Sequence, residues 1–149
     1  MKAVIQRVNY AKLRIDGKVF SEINNGLVIL IGITHDDDDS DIKWLVKKIL
    51  NLRIFNDNNS VMNKSLIDID GELLIVSQFT LHAQTKKGNR PSYINAAKGE
   101  IALELYNSFL SEFKNEYGII PKTGKFGADM RVELENDGPV TILIDTKNK

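Results

Sequence analysis

Cysteine is absent from the 149-residue chain, which removes disulfides, Cys-zinc sites and thiol nucleophiles together. Only two histidines occur, His35 and His82, so a hydrolytic set that needs a histidine base has few ways to form. There is no excess of either charge: Lys plus Arg is 20 and Asp plus Glu is 20. That balance excludes the long basic surface of a protein that coats duplex nucleic acid. A few cations gripping one short nucleic-acid end remain compatible with it. No long apolar run exists either, since Leu27–Ile31 spans five residues against the roughly 20 that cross a bilayer. The opening MKAVIQRVNY alternates apolar with polar residues and lacks the apolar core of a signal peptide. Hydrophobic residues make up 42% of the chain, too many for disorder and enough for a core. The expectation is one soluble, cytoplasmic domain over residues 1–149, with no membrane association.

The pattern along the chain is mixed. Ala3, Ile5 and Arg7 alternate with Val4, Gln6 and Val8, and Leu13 and Ile15 lead into Asp16-Gly17, a dipeptide suited to a two-residue hairpin. Leu27 to Ile33 is apolar without alternation, as in a central strand covered on both faces. Asp36 to Asp39 and Ser40 precede a helical period at Ile42, Leu45, Val46, Ile49 and Leu50. Phe55 to Lys64 reads as a loop, and Glu72 to Val76 as a second apolar strand running into polar Ser77-Gln78-Phe79-Thr80. Thr85 to Pro91 reads as a basic loop. A second helix is expected over Ala96 to Tyr117, with Ile101, Leu105, Phe109 and Phe113 on its buried stripe and Gly118 ending it. The tail alternates twice, from Met130 to Leu134 and from Val140 to Ile144, and reads as two strands about a turn at Asn136-Asp137-Gly138-Pro139. Strands outnumber helices and both helices can cover one sheet face, so the fold class is α/β, mixed β-sheets with two main helices packed on one face.

Few residues point to chemistry by themselves. His35 with Asp36 to Asp39 has the donor types for a divalent ion, but carboxylates before a helix start are explained more simply by the helix dipole. His82 follows the polar strand end and reads as an exposed residue near it. No EF-hand loop, HExxH or P-loop occurs, and no metal or cofactor is expected. Ser77, Gln78 and Thr80 at a buried strand's end offer hydroxyls, an amide and backbone N–H groups to a ligand. Gly138-Pro139 at a strand start is unusual, because proline removes a ladder donor there.

Several segments, in order, carry a resemblance: Gln6-Arg7-Val8, Gly26 to Gly32, Leu52-Arg53-Ile54-Phe55, Met62-Asn63, Ser77-Gln78-Phe79-Thr80-Leu81, Lys87-Gly88-Asn89-Arg90-Pro91, Gly124 to Met130 and Asn136-Asp137-Gly138-Pro139-Val140-Thr141. Together they resemble the D-aminoacyl-tRNA deacylases, also known as the D-tyrosyl-tRNA deacylases, over essentially the whole chain. Tyr93 stands where phenylalanine is more usual, and the acidic run is longer than typical.

The resemblance implies the D-tyrosyl-tRNA deacylase-like fold and hydrolysis of the ester between a D-amino acid, or mischarged glycine, and the 3′-terminal adenosine of tRNA. It implies a homodimer with active sites at the interface and a cis Gly138-Pro139 bond lent to the partner's pocket. In that role two carbonyl oxygens of Gly138 and Pro139 would reject an L side chain and admit hydrogen, with Arg7 as their brace. Ser77, Gln78, Phe79 and Thr80 would line the reacting ester. Phe126, Gly127, Ala128 and Met130 would hold the terminal adenosine, Phe126 by stacking, and Lys86, Lys87 and Arg90 would meet acceptor-end phosphates. Thr80 as nucleophile would need a neighbouring base that no motif supplies. Two rival expectations stand beside this one: a non-catalytic binder of the tRNA 3′ end, and a metal-dependent hydrolase built on His35 and the aspartates.

Overall fold

The computed structural model describes residues 1–149. The opening alternation becomes a long strand, β1 (Lys2–Ile15), which turns at Asp16 and Gly17, both at positive φ (51° and 76°), into β2 (Lys18–Ile23). The chain continues as β3 (Gly26–Gly32), antiparallel to the first half of β1 from Lys2↔Gly32 to Val8↔Gly26, while β2 pairs with the second half. One edge of β1 is thus covered by β2 and then β3. Beyond β3 lies β6 (Glu72–Ser77), parallel to it, and then a short strand β7 (Lys122–Thr123) parallel to β6. Gly26 lets β3 and β6 approach, since a Cβ there would lie 1.9 Å from the Glu72 carbonyl oxygen. The Ser21 hydroxyl donates to the Thr123 carbonyl at 2.8 Å, linking β2 to β7, so the sheet curls toward a barrel.

Two helices, α1 (Asp39–Asn51) and α2 (Gly99–Tyr117), cover the same face of this sheet. Ala3, Ile5, Leu27, Ile29, Ile31, Leu73 and Ile75 share one core with all five periodic residues of α1 and with Ala102, Tyr106, Phe109 and Phe113 of α2. Full burial of a side chain the size of Phe109 or Phe113 contributes about 1.5–3 kcal/mol. The expected stripe of α2 is rotated: Ile101 is 53% exposed, and Ala102 and Tyr106 take the inward positions. The helix also starts later than Ala96, because Ala96 bridges Thr34 and the Ala97 N–H donates to Ile33 at 2.9 Å, holding the chain extended against the end of β3. Gly118 ends α2 in the left-handed region as expected, its N–H returning to Phe113 and Lys114. The opposite sheet face packs Val28, Leu74 and Val76 with Val8, Ala11, Leu13 and Ile23, beneath Met130 and Leu134.

Two further expectations differ from the structure. Phe55 to Lys64 is not all loop: β4 (Phe55–Asn56) and β5 (Met62–Lys64) form a small hairpin around an Asp57 side chain that accepts from the Asn59 and Val61 N–H groups. The tail is one strand, β8 (Arg131–Asp145), rather than two. It runs antiparallel along the whole free edge of β1, from Arg14↔Arg131 to Lys2↔Asp145, with register shifts near Val8. Both alternating halves pair with the same neighbour, so the segment between them is an excursion from a continuous ladder and not a hairpin end.

The acidic run divides its labour. Asp38 caps α1 in a reciprocal capping box with Asp41. Asp37, expected in a solvated loop, is buried: it accepts from the Met1 ammonium and the Thr34 N–H. Asp41 is buried too and receives the Lys147 ammonium at 2.6 Å. Burial alone would raise the Asp41 carboxyl, but hydrogen bonds from Lys147, Thr146, the Asp38 N–H and Lys149 outweigh it and bring its pKa down to about 2. A pKa depressed on folding stabilises above the unfolded value of 3.8 and is lost as pH falls toward about 2. Asp41→Asn should therefore melt lower near neutral pH and lose part of the wild-type acid sensitivity between about pH 4 and pH 2. Thermal melts across that range check this, and superimposable acid profiles would contradict it.

Candidate active site

Parallel strands β3 and β6 end side by side, and clefts at the carboxyl ends of parallel strands are where α/β sheets commonly place ligands. Here the chain leaves β6 at Ser77, which pairs with Ile31, and the Gln78 N–H donates to the Ile31 carbonyl at 2.7 Å. A 3₁₀ turn, Phe79–His82, follows at once. The N–H groups of Phe79 and Thr80 open this turn, where its own hydrogen-bond ladder gives them no acceptor. The Gln78 side-chain amide donates to the Thr80 hydroxyl, fixing both side chains.

A cleft of about 330 Å³ opens at this point. Its floor is Ile31, Ile33, Val76, Ser77, Gln78 and Phe79; one wall is Ala97 and Ala102 at the start of α2; the other is Phe126, Gly127, Ala128, Asp129, Met130 and Val132. Ten of the fourteen lining residues are hydrophobic, the make-up of a site that orients a ligand with few polar groups. Seven of the expected site residues therefore meet here: Ser77, Gln78 and Phe79 with Phe126, Gly127, Ala128 and Met130. Thr80 lies one residue beyond the lining, tied to it through Gln78.

Two aromatic pairs support the floor and one wall. The Phe79 ring meets Tyr93 edge-on with centroids 5.0 Å apart. Phe126 packs on Tyr106 at 5.6 Å and leans on the core as well as lining the cleft. Tyr106 is buried, its hydroxyl donates to the Ile75 carbonyl at 3.0 Å, and burial pushes its pKa up to about 12. The stripe expected from spacing leaves Tyr106 off the buried side of α2, so its support of Phe126 has no sequence signal. His82, read as exposed, is buried, and burial pushes its pKa below the usual imidazole value. It does not line the cleft.

Arg7, Gly138 and Pro139 lie elsewhere. Gln6 pairs with Thr141 and Val8 with Asn136, so Arg7 alone faces four residues of β8, Asp137 to Val140. Gly138 and Pro139 are exposed, joined by a cis peptide bond, and line no part of this chain's own cleft. Arg7 is 6% exposed; its Nε lies 2.8 Å from the Asp137 carboxylate and its guanidinium also donates to the Ile54 carbonyl. That Nε is a close ionic contact and not an aligned hydrogen bond. A Cβ built on Gly138 would lie 2.9 Å from Arg7 Nη2, so the guanidinium stands directly against the glycine. Arg7 thus contacts both Asp137 and the Gly138 backbone of its own chain. Lys86, Lys87 and Arg90 are all exposed on a loop closed by the Gln84–Ser92 bridge and do not line the cleft.

A family model described as D-Tyr-tRNA(Tyr) deacylase matches residues 4–145. A D-aminoacyl-tRNA deacylase of Flavobacterium psychrophilum is 60% identical over 149 residues, covering 100% of this chain and 99% of the relative. The protein of that name from Fusobacterium nucleatum is 57% identical over 148 residues, 99% of this chain and 97% of its own. A solved structure described as c-Myc DNA Unwinding Element Binding Protein superposes with a TM-score of 0.91 at 44% identity, covering 97% of this chain and 98% of that one. Another, described as a probable eukaryotic D-amino acid tRNA deacylase, gives 0.78 at 19% identity over 96% and 97%, a likeness of fold.

Gly138 has φ +112°, a region L side chains rarely adopt, and a methyl added there would stand within about 3 Å of Arg7 Nη2 and Val140 Cγ2. Gly138→Ala should destabilise the protein by about 1–3 kcal/mol, read by urea unfolding. An unchanged midpoint would show that Arg7 does not confine this backbone.

Proposed function

The chain belongs to the D-Tyr-tRNA(Tyr) deacylase family, and from that premise we propose that it hydrolyses D-aminoacyl-tRNA. Water adds to the ester carbonyl, and the tetrahedral oxyanion collapses by expelling the 3′-oxygen of the terminal adenosine, which takes a proton. Free tRNA and the D-amino acid leave. The observation that carries this reading is the cleft itself, where a strand end rich in hydrogen-bonding groups faces an aromatic and small-residue wall.

The polar side supports an orienting role. The free N–H groups of Phe79 and Thr80 stand at the head of the 3₁₀ turn and suit an oxyanion, which gains most from preorganised donors in an apolar cleft. The Thr80 hydroxyl accepts from Gln78 and has no base beside it, so it is a positioning group and not a nucleophile. The ribose 2′-hydroxyl next to the ester assists the attack of water. Phe126, Gly127, Ala128 and Met130 receive the terminal adenosine, and Lys86, Lys87 and Arg90 reach acceptor-end phosphates.

Chirality is sorted by Gly138 and Pro139, working as a pair of backbone carbonyls in the cleft of a second copy within a homodimer. Their exposure, their absence from their own cleft and the rigid Arg7 brace support that assignment. An L side chain meets the carbonyls, whereas the hydrogen of a D residue or of glycine does not, so mischarged glycyl-tRNA is also a substrate. No helix is long and apolar enough to cross a membrane, in keeping with a cytoplasmic role in translation quality control.

Substoichiometric protein should release amino acid from D-Tyr-tRNA and glycyl-tRNA and spare L-Tyr-tRNA. Stoichiometric binding without release would instead mark a non-catalytic binder of the tRNA 3′ end. Thr80→Ala should keep measurable turnover, while a terminal 2′-deoxy substrate loses it. An acyl group trapped on Thr80 would reverse this ordering.

A further inference from the structure

Asn136 is the residue at the neck of the excursion, the last β8 position in register before the chain departs, paired with Val8. Its amide nitrogen donates to two carbonyls, Arg7 at 2.9 Å and Val140 at 3.0 Å. Its amide oxygen accepts from the Thr141 hydroxyl at 3.2 Å, which fixes which way the amide faces. Both amide hydrogens are therefore spent on the two sides of the neck: one on β1 opposite the excursion, the other on Val140, the last residue before β8 pairs again. A ladder in which four residues stand opposite one loses its regular pairing there, and the segment between would otherwise hinge on its ends. Arg7 confines the middle of the excursion at Gly138, and Asn136 closes its base.

We infer that Asn136 is a positioning residue for enantiomer discrimination: it sets the angle at which Gly138 and Pro139 leave the sheet, through its bonds to Arg7 and Val140. This inference rests on the deacylase reading for its substrate but not for its geometry. Discrimination by steric refusal falls off with small displacements, because an obstacle that yields admits the wrong substrate. Catalysis of the right substrate depends on the Ser77–Thr80 end of the cleft, which Asn136 does not touch. Loss of Asn136 thus separates selectivity from rate.

Asn136→Asp is the decisive variant, since it keeps the shape and replaces both donors with an acceptor facing two carbonyls. Its ratio of D-Tyr-tRNA to L-Tyr-tRNA turnover should fall by about tenfold or more, the scale of one lost hydrogen bond, with D-Tyr-tRNA turnover nearly unchanged. Thr141→Val, which frees the amide to flip, should fall less. Asn136→Ala covers the case in which the aspartate variant does not fold. Hydrogen–deuterium exchange over residues 137–140 should rise in the Asn136 variants, and this readout needs no activity. An unchanged D-to-L ratio in folded Asn136 variants, or equal loss on both substrates, overturns the inference. A wild-type protein without turnover overturns the deacylase reading instead, and unchanged exchange then overturns the clamp on its own.

Discussion

One arginine faces four residues where the ladder allots it one. That mismatch between β1 and β8 shapes this edge of the sheet: it pushes Gly138 and Pro139 out of the ladder, and the Arg7 guanidinium stands against Gly138. Burying an arginine is costly unless its charge and its donors are answered. Here Asp137 answers the charge and the Ile54 carbonyl one donor. The same residues that make the arginine tolerable hold the excursion in place, so the brace and its burial are one structure.

The cleft and the excursion are built on different principles. The cleft is a product of ordinary α/β geometry, two parallel strands ending together with a 3₁₀ turn that leaves N–H groups free. The excursion is a local departure from β pairing that needs side chains to stabilise it. On the proposed reading, chemistry comes from the first and selection from the second, and the two meet only when one copy of the chain lends its excursion to another. On that same proposal, a site assembled this way would select without gripping the amino-acid side chain, and would tolerate many D-amino acids while refusing L.

Much of this was legible in the residues. The buried strand at Leu27–Ile31, the Asp16-Gly17 turn, the helix behind the Asp36 to Asp39 run and the polar end at Ser77 each follow from patterns that local physics dictates. What escaped was set by tertiary packing. Alternation at Met130 to Leu134 and at Val140 to Ile144 is the same whether two strands pair with each other or both with β1, so the continuous β8 could not be distinguished from a hairpin. The stripe of α2 turned because Tyr106 finds the Ile75 carbonyl and Phe126, partners distant in sequence. Asp37 left solvent because the Met1 ammonium meets it across the fold. Asn136 stood in plain view within its motif, but only the register slip shows why an amide belongs there.

The central claim is that the excursion of one protomer completes the cleft of its neighbour, and subunit mixing tests it most directly. One variant carries Ala128→Trp to fill the cleft, the other Gly138→Ala to displace the excursion, and each is deficient in selective turnover. Mixed dimers contain one site with an intact cleft and an intact excursion contributed by different chains. The account predicts that selective release from D-Tyr-tRNA over L-Tyr-tRNA reappears on mixing. If mixed dimers form and it does not, selection resides within a single chain and the account fails.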